Sequence, residues 1–209
     1  MNRRRLLSLG MGLTGASLLG LLATPSQAVQ KPTPSQMRGP FYPRQFPLDK
    51  DFDLTRVAGS DATAFGEIVT VSGRVTDVEG RAMERVAIEI WQVNGHGRYH
   101  HEGDDSAKPI DPNFQGYGMV ATDSQGHYQF RTVKPIAYPG RAPHIHFVLT
   151  PKTGPTLVTQ MYIAGAKENA NDFLLRSISD KMQRESLVVA FEKTGDQLSG
   201  IFDIVLSEN

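Results

Sequence analysis

The chain has 209 residues, of which 39% are hydrophobic, 21% charged and 8% aromatic; this is enough apolar content to bury a core and too little bias for a disordered or fibrous protein. Lysine plus arginine equals aspartate plus glutamate at 22 each, so no net basic field draws the chain to nucleic acid. No cysteine is present, which excludes disulfides, thiolate zinc sites, iron–sulfur clusters and a cysteine nucleophile, and confines any metal to nitrogen and oxygen ligands.

In chain order, Arg3-Arg4-Arg5 comes first, followed by Leu6 to Ala23 without a charge and by Ser26-Gln27-Ala28, whose small residues suit a cleavage site. Paired arginines ahead of a Gly-rich, moderately apolar stretch predict a twin-arginine-type export signal over residues 1–28 and a periplasmic or secreted mature protein. An uncleaved membrane anchor is the competing reading, weakened by Gly10, Gly12, Gly15, Gly20 and Thr14. Cleavage leaves 19 basic against 22 acidic residues, a net charge of −3.

Residues 29–65 are rich in proline and turn residues, including Pro32, Pro34, Gly39-Pro40, Pro43 and Pro47, and predict an extended arm lying across the main domain. From residue 66 to 209 the pattern becomes that of strands. Val69, Val71, Gly73 and Val75 alternate with polar residues, and strand candidates follow at 86–93, 118–122, 128–133, 145–150, 157–163 and 202–206. Asn171 to Phe191 is the only region that predicts helix. Many short strands, frequent turn signals and little helix predict an all-β fold, an antiparallel β-sandwich with a Pro-rich N-terminal arm.

Two segments concentrate the chemistry. In Tyr138-Pro139-Gly140-Arg141-Ala142-Pro143-His144-Ile145-His146-Phe147, strand geometry puts His144 and His146 on one side about 7 Å apart along the chain, with Ile145 facing the core. His-x-His is a metal clip of modest specificity, and two satisfied histidines are the plain alternative. In Trp91-Gln92-Val93-Asn94-Gly95-His96-Gly97-Arg98-Tyr99, a strand gives way to a Gly-flanked loop that carries Tyr99 to where a phenol oxygen could reach a metal. Two phenolates with two imidazoles would suit a hard trivalent ion such as ferric iron.

The ordered landmarks Ile90-Trp91-Gln92, Gly97-Arg98-Tyr99, Asp111-Pro112-Asn113-Phe114, Thr122-Asp123, Phe130-Arg131-Thr132, Lys134-Pro135, Tyr138-Pro139, Arg141 to Phe147 and Thr159-Gln160-Met161-Tyr162 resemble the intradiol ring-cleavage dioxygenases, specifically their protocatechuate 3,4-dioxygenase type. Gly39-Pro40-Phe41-Tyr42-Pro43 is similar to the family's N-terminal arm, and Phe202 to Leu206 to its last strand. The resemblance implies a non-haem Fe(III) held by Tyr99, Tyr138, His144 and His146. It implies that Tyr138 also accepts a proton from the substrate and that Arg141 and Gln160 face it. The implied reaction opens a catechol-type ring between its hydroxyl-bearing carbons with O₂ and yields a cis,cis-muconate-type diacid.

One departure stands out, since only five residues separate Tyr138 from His144 where the protocatechuate type carries a longer insertion lining the substrate pocket. The ring substituents of the substrate and the oligomeric state, a homo-oligomer included, stay open. A transthyretin-like binding module without catalysis and a zinc or copper enzyme built on His144 and His146 are the alternatives. The latter lacks the carboxylate or third histidine such sites need. His96, His100 and His101 read as a polar loop tip, His127 as solvent-facing, Asp104-Asp105 as solvated charge and Trp91 as core.

Overall fold

A computed structural model describes residues 29–207, so the export signal expected over residues 1–28 lies outside the described residues. The elements are β1 (Ile68–Asp77), β2 (Ala87–Trp91), β3 (Tyr117–Ala121), β4 (His127–Val133), β5 (His144–Thr150) and β6 (Leu157–Ile163). A 3₁₀ turn at Lys167–Ala170 and the short helices α1 (Phe173–Ser177) and α2 (Lys181–Ser186) then lead to β7 (Val188–Val189), β8 (Phe191–Thr194), β9 (Gln197–Ile201) and β10 (Ile204–Leu206).

These strands form two five-stranded sheets, the all-β sandwich with little helix that the sequence predicts. In the first, the long β1 pairs with β4 along one edge, and with β9 and then β10 along the other, with β8 beyond β9. The second runs β3-β2-β5-β6-β7. Antiparallel pairing dominates, but β9 and β10 run parallel to β1 and β7 parallel to β6, so both sheets are mixed. The helical segment between β6 and β7 is long enough to bring the chain back in the same direction, which a hairpin cannot do.

Period-two alternation sends Val69, Val71 and Val75 of β1, Ile88 and Ile90 of β2, Phe130 of β4, and Ile145, Phe147 and Leu149 of β5 between the sheets, where all are buried. The other face of β5 carries His144, His146 and Val148, and these are buried too. The proline-rich arm covers that face. The amide of Gln36 donates to Val158 O at 2.8 Å, and Thr159 Oγ1 donates to Pro34 O at 2.8 Å. Further along, Leu54 N donates to Arg131 O and Arg131 N to Phe52 O on the edge strand β4, and Met119 N donates to Lys50 O on the edge strand β3. The arm therefore pairs with one edge strand of each sheet, where an unpaired strand would otherwise invite foreign pairing.

The structure departs from the sequence reading at the C-terminal end. Helix occupies two short pieces of residues 171–191, because Asp172 and Asp180 each cap a new start with their side chains. β-Branched Val188-Val189 instead pair with Tyr162 and Ile163. The hairpin β8–β9 was absent from the predicted strands, although its turn, Gly195-Asp196 with Gly195 at φ 62°, is the kind of signal that marks one. Among the described residues no helix is long and apolar enough to cross a membrane.

Candidate metal centre on the outer face of the second sheet

Register assembles the site. Across β5, Trp91 pairs with His146 on one side, while His144 faces Tyr162 and His146 faces Gln160 on the other. Directly paired residues share a face, so β6 delivers Gln160 and Tyr162 beside the two histidines. Trp91 lies flat on His146, with ring centroids 4.5 Å apart and planes at 7°.

Tyr99 arrives on a loop built around Asn94. The Asn94 Oδ1 accepts from His96 N and Arg98 N, its Nδ2 donates to Pro109 O, and Gly97 takes the left-handed φ of 81° that closes the turn. Asp104 then accepts from Tyr99 N at 2.8 Å and from Ser106 N at 3.0 Å. Asp104 is thus no solvated charge, as the sequence suggested, but the clamp on the Tyr99 backbone. From the arm, Phe41 stacks on the Tyr99 ring at 4.6 Å. Tyr138 sits in a tight turn in which Arg141 N donates to Tyr138 O at 2.9 Å across Gly140, at φ 80°. The five-residue connection to His144 is therefore a turn and not an extended loop.

Four donor atoms converge. Tyr99 Oη stands 3.0 Å from His146 Nε2 and 3.3 Å from His144 Nε2, the two Nε2 atoms are 3.1 Å apart, and Tyr138 Oη is 3.5 Å from His144 Nε2. Donors about 2.1 Å from a common centre stand about 3.0 Å apart at right angles and about 3.4 Å apart at tetrahedral angles, the range found here. The protonation states agree. His144 Nδ1 donates to Ala142 O at 2.6 Å, so its Nε2 presents a lone pair. Burial, then the Arg141 charge, pushes His144 down to about 3. Burial and the neighbouring His144 push His146 well below its usual value, so both imidazoles are neutral at pH 7. Burial raises both phenols, most strongly Tyr99; a cation at the convergence point is what would offset that penalty for a phenolate. Tyr99, His144 and His146 are each under 5% exposed, so these donors are interior groups roofed by the arm.

Beside them lies a polar chain. Arg141 Nη2 donates to Gln160 Oε1 at 2.5 Å and contacts Tyr162 Oη at 3.3 Å, while its Nε donates to Asp172 Oδ2 at 2.9 Å. Gln160 Nε2 donates to Met37 O and Tyr162 Oη to Gln36 Oε1, which ties this chain to the arm. Asp172, Asp104, Gln36, Phe41 and Tyr162 were given no role from the sequence. Phe41 and Tyr162 stood within the family landmarks, and Asp172 carried the signal of a helix start, an aspartate ahead of the apolar run Phe173-Leu174-Leu175. The remaining histidines point elsewhere: His96 stacks on Phe65, His100 meets the edge of Phe114, and His101 meets Phe41. Among the described residues no group of three or more His, Asp or Glu side chains gathers as a metal site.

Residues 37–208 match a family model described as dioxygenase. The chain is 40% identical over 168 residues to the protocatechuate 3,4-dioxygenase beta chain of Burkholderia cepacia, covering 75% of this chain and 71% of that one. It is 28% identical to the catechol 1,2-dioxygenase of Candida albicans, over 79% of this chain and 56% of the relative, so it spans about half the length of relatives of that kind. The dioxygenase domain of a dioxygenase carbohydrate-binding protein fusion from Streptomyces sp. SirexAA-E superposes with a TM-score of 0.67 at 30% identity, over 86% of this chain and all of that one. The 3-chlorocatechol 1,2-dioxygenase of Rhodococcus opacus 1CP shares the fold, with a TM-score of 0.67 at 17% identity over 86% of this chain and 74% of that one. The match of the family model and of these relatives over most of the chain shows a dioxygenase. The chain belongs to the intradiol ring-cleavage dioxygenase family. The transthyretin-like and zinc or copper readings are not favoured.

Proposed function

We propose that Tyr99, Tyr138, His144 and His146 hold a non-haem Fe(III) and that the protein cleaves catechol-type rings there with O₂. The observation that carries this reading is the convergence of two phenol oxygens and two imidazole nitrogens to separations of 3.0–3.5 Å in a buried site. The chemistry that ferric iron supplies when bound is Lewis acidity, which favours a catecholate and makes its ring carbon receptive to O₂. Both oxygen atoms enter the product, so a catechol plus O₂ balances to a cis,cis-muconate-type diacid without a reductant.

The chain's own residues handle protons, charge and water. Tyr138 is the less buried of the two phenols; held as a phenolate by the bound ion, its oxygen would accept a proton from an incoming catechol hydroxyl. Arg141 keeps its charge: burial pushes it down, but Asp172 and the adjacent phenols outweigh that and raise it. It therefore stabilises negative charge on the substrate with a donor fixed in advance. Gln160 turns its oxygen to Arg141 and its amide to the arm, holding the guanidinium in register. Phe41 and Trp91, stacked on Tyr99 and His146, keep water from those ligands.

The test is iron analysis with absorption spectroscopy and O₂ uptake, using protocatechuate, catechol and hydroxyquinol. The expected result is about one iron per chain, a visible phenolate-to-iron band that shifts with catechol and changes in Tyr138→Phe, and one O₂ consumed per ring opened. A colourless protein after ferric loading, without O₂ uptake, overturns the reading.

A further inference from the structure

Asp172 is remote in sequence from every proposed ligand, yet its carboxylate is the most heavily committed polar group near the site. Its Oδ1 accepts from Leu174 N and Leu175 N and starts α1. Its Oδ2 accepts from Arg141 Nε and from Ala142 N, both at 2.9 Å. The Asp172 side chain is fully buried and that of Arg141 is 10% exposed. A carboxylate this deep is tolerated because four donors surround it. Burial pushes its pKa up, but the backbone amides and Arg141 outweigh this and hold it below the usual range.

The consequence falls on the guanidinium. Arg141 presents three hydrogen-bonding nitrogens in a rigid plane. Asp172 takes Nε, while Gln160 and Tyr162 take Nη2, which leaves Nη1 for the side of the Tyr138 phenol, the group where a substrate would enter. The same Oδ2 holds Ala142 N, and the carbonyl of Ala142 fixes the His144 ring through Nδ1. One oxygen atom thus sets both the edge that Arg141 offers and the backbone that aims His144.

We propose that Asp172 is a positioning residue: it orients Arg141 so that the guanidinium edge not taken by Asp172 and Gln160 faces the negative charge of a substrate anion. It touches neither substrate nor metal and acts through Arg141. The kinetic arm of the test rests on the dioxygenase reading, whereas the resonance arm does not.

Asp172→Asn separates the two jobs of the side chain. Its amide oxygen still caps α1, since asparagine caps as well as aspartate, but its NH₂ then faces Arg141 Nε–H and Ala142 N–H, donor against donor. The variant is expected to keep the β-sheet circular dichroism and the iron content of the wild type. Its kcat is expected to fall about 10- to 100-fold, the usual range for partners that orient an active group, with a smaller change in KM. In the Arg141→Ala background the same substitution should lower kcat by a much smaller factor than in the wild type, because the guanidinium it positions is gone and only its bond to Ala142 N remains to be lost. In ¹⁵N-arginine-labelled protein the Arg141 Nε–H resonance, assigned by its loss in Arg141→Lys, should exchange slowly in the wild type and rapidly in Asp172→Asn. Unchanged kcat, fully additive losses in the double variant, or an Nε–H that stays protected without the carboxylate each overturn the proposal. A wild type that keeps the protected Nε–H but cleaves no catechol leaves Arg141 positioned by Asp172 and overturns the dioxygenase reading instead.

Discussion

His146 shows how much context one side chain takes up. Trp91 covers one face, Tyr99 Oη and His144 Nε2 meet its Nε2, and the arm passes at Gly39, where an added Cβ would lie 3.5 Å from His146 Cε1. Because both histidines are interior, His144→Ala or His146→Ala opens a void beside the site as well as deleting a donor. The expected cost is about 1–3 kcal/mol, inside the 5–15 kcal/mol that an ordinary domain holds. Either variant should therefore remain a folded β protein while iron binding weakens by more than ~100-fold, measured by circular dichroism and metal analysis. Retention of iron and O₂ uptake by both would refute the ligand assignment. At this scale the sequence displayed His144, His146 and Tyr99 plainly, because strand alternation and a Gly-bounded loop are local. Asp104 and Asp172 were not legible, since each acts only through a partner that folding brings near.

β5 is where element and site meet. Its odd positions fill the sandwich and its even positions carry the histidines, so the two faces respond differently to substitution. Ile145→Asp places an unpaired carboxylate between the sheets at a cost of several kcal/mol, about 3 or more, and should yield little soluble, cooperatively unfolding protein. Near-wild-type stability on urea unfolding would show that Ile145 does not face the core. The arm adds a pH-dependent fastening at β4, where Asp53 accepts from Thr55 N and Oγ1 and from Arg131 Nη1. Burial pushes this carboxyl up, but Thr55 and Arg131 outweigh it and hold it below its ordinary 3.8. A depressed carboxylate stabilises fully above its unfolded value and loses that contribution as pH falls through the folded value. Proteolysis of residues 49–60 should hence stay constant from neutral pH down to about 4 and accelerate below it, with Asp53→Asn abolishing that acid limb. Acceleration beginning near pH 6 would point to a different group.

At the scale of the whole molecule, a twin-arginine signal would export the chain already folded, which suits a site that the arm must close over before the ligands are buried. We expect Arg3→Lys with Arg4→Lys to leave the precursor inside the cell, followed by fractionation and immunoblotting. Export of the double variant at the normal rate would indicate the general secretory route.

The all-β class and the placement of His144 and His146 on one face of a strand were determined by the sequence alone, because strand periodicity and turn residues act over a few positions. The β8–β9 hairpin has a local mark in Gly195-Asp196 but no clear apolar–polar alternation on either side. Other features depended on contacts between distant segments. The parallel pairings of β9 and β10 with β1 and of β7 with β6 join residues far apart in the chain, so no local pattern encodes them. The burial of the donor cluster came from the arm: residues 33–42 read as proline-rich coil on their own, and only when laid across β6 do they roof the site. The orientation of Arg141 was likewise settled by tertiary structure, because the charge that fixes it lies 31 residues downstream and becomes its neighbour only when α1 starts against the turn.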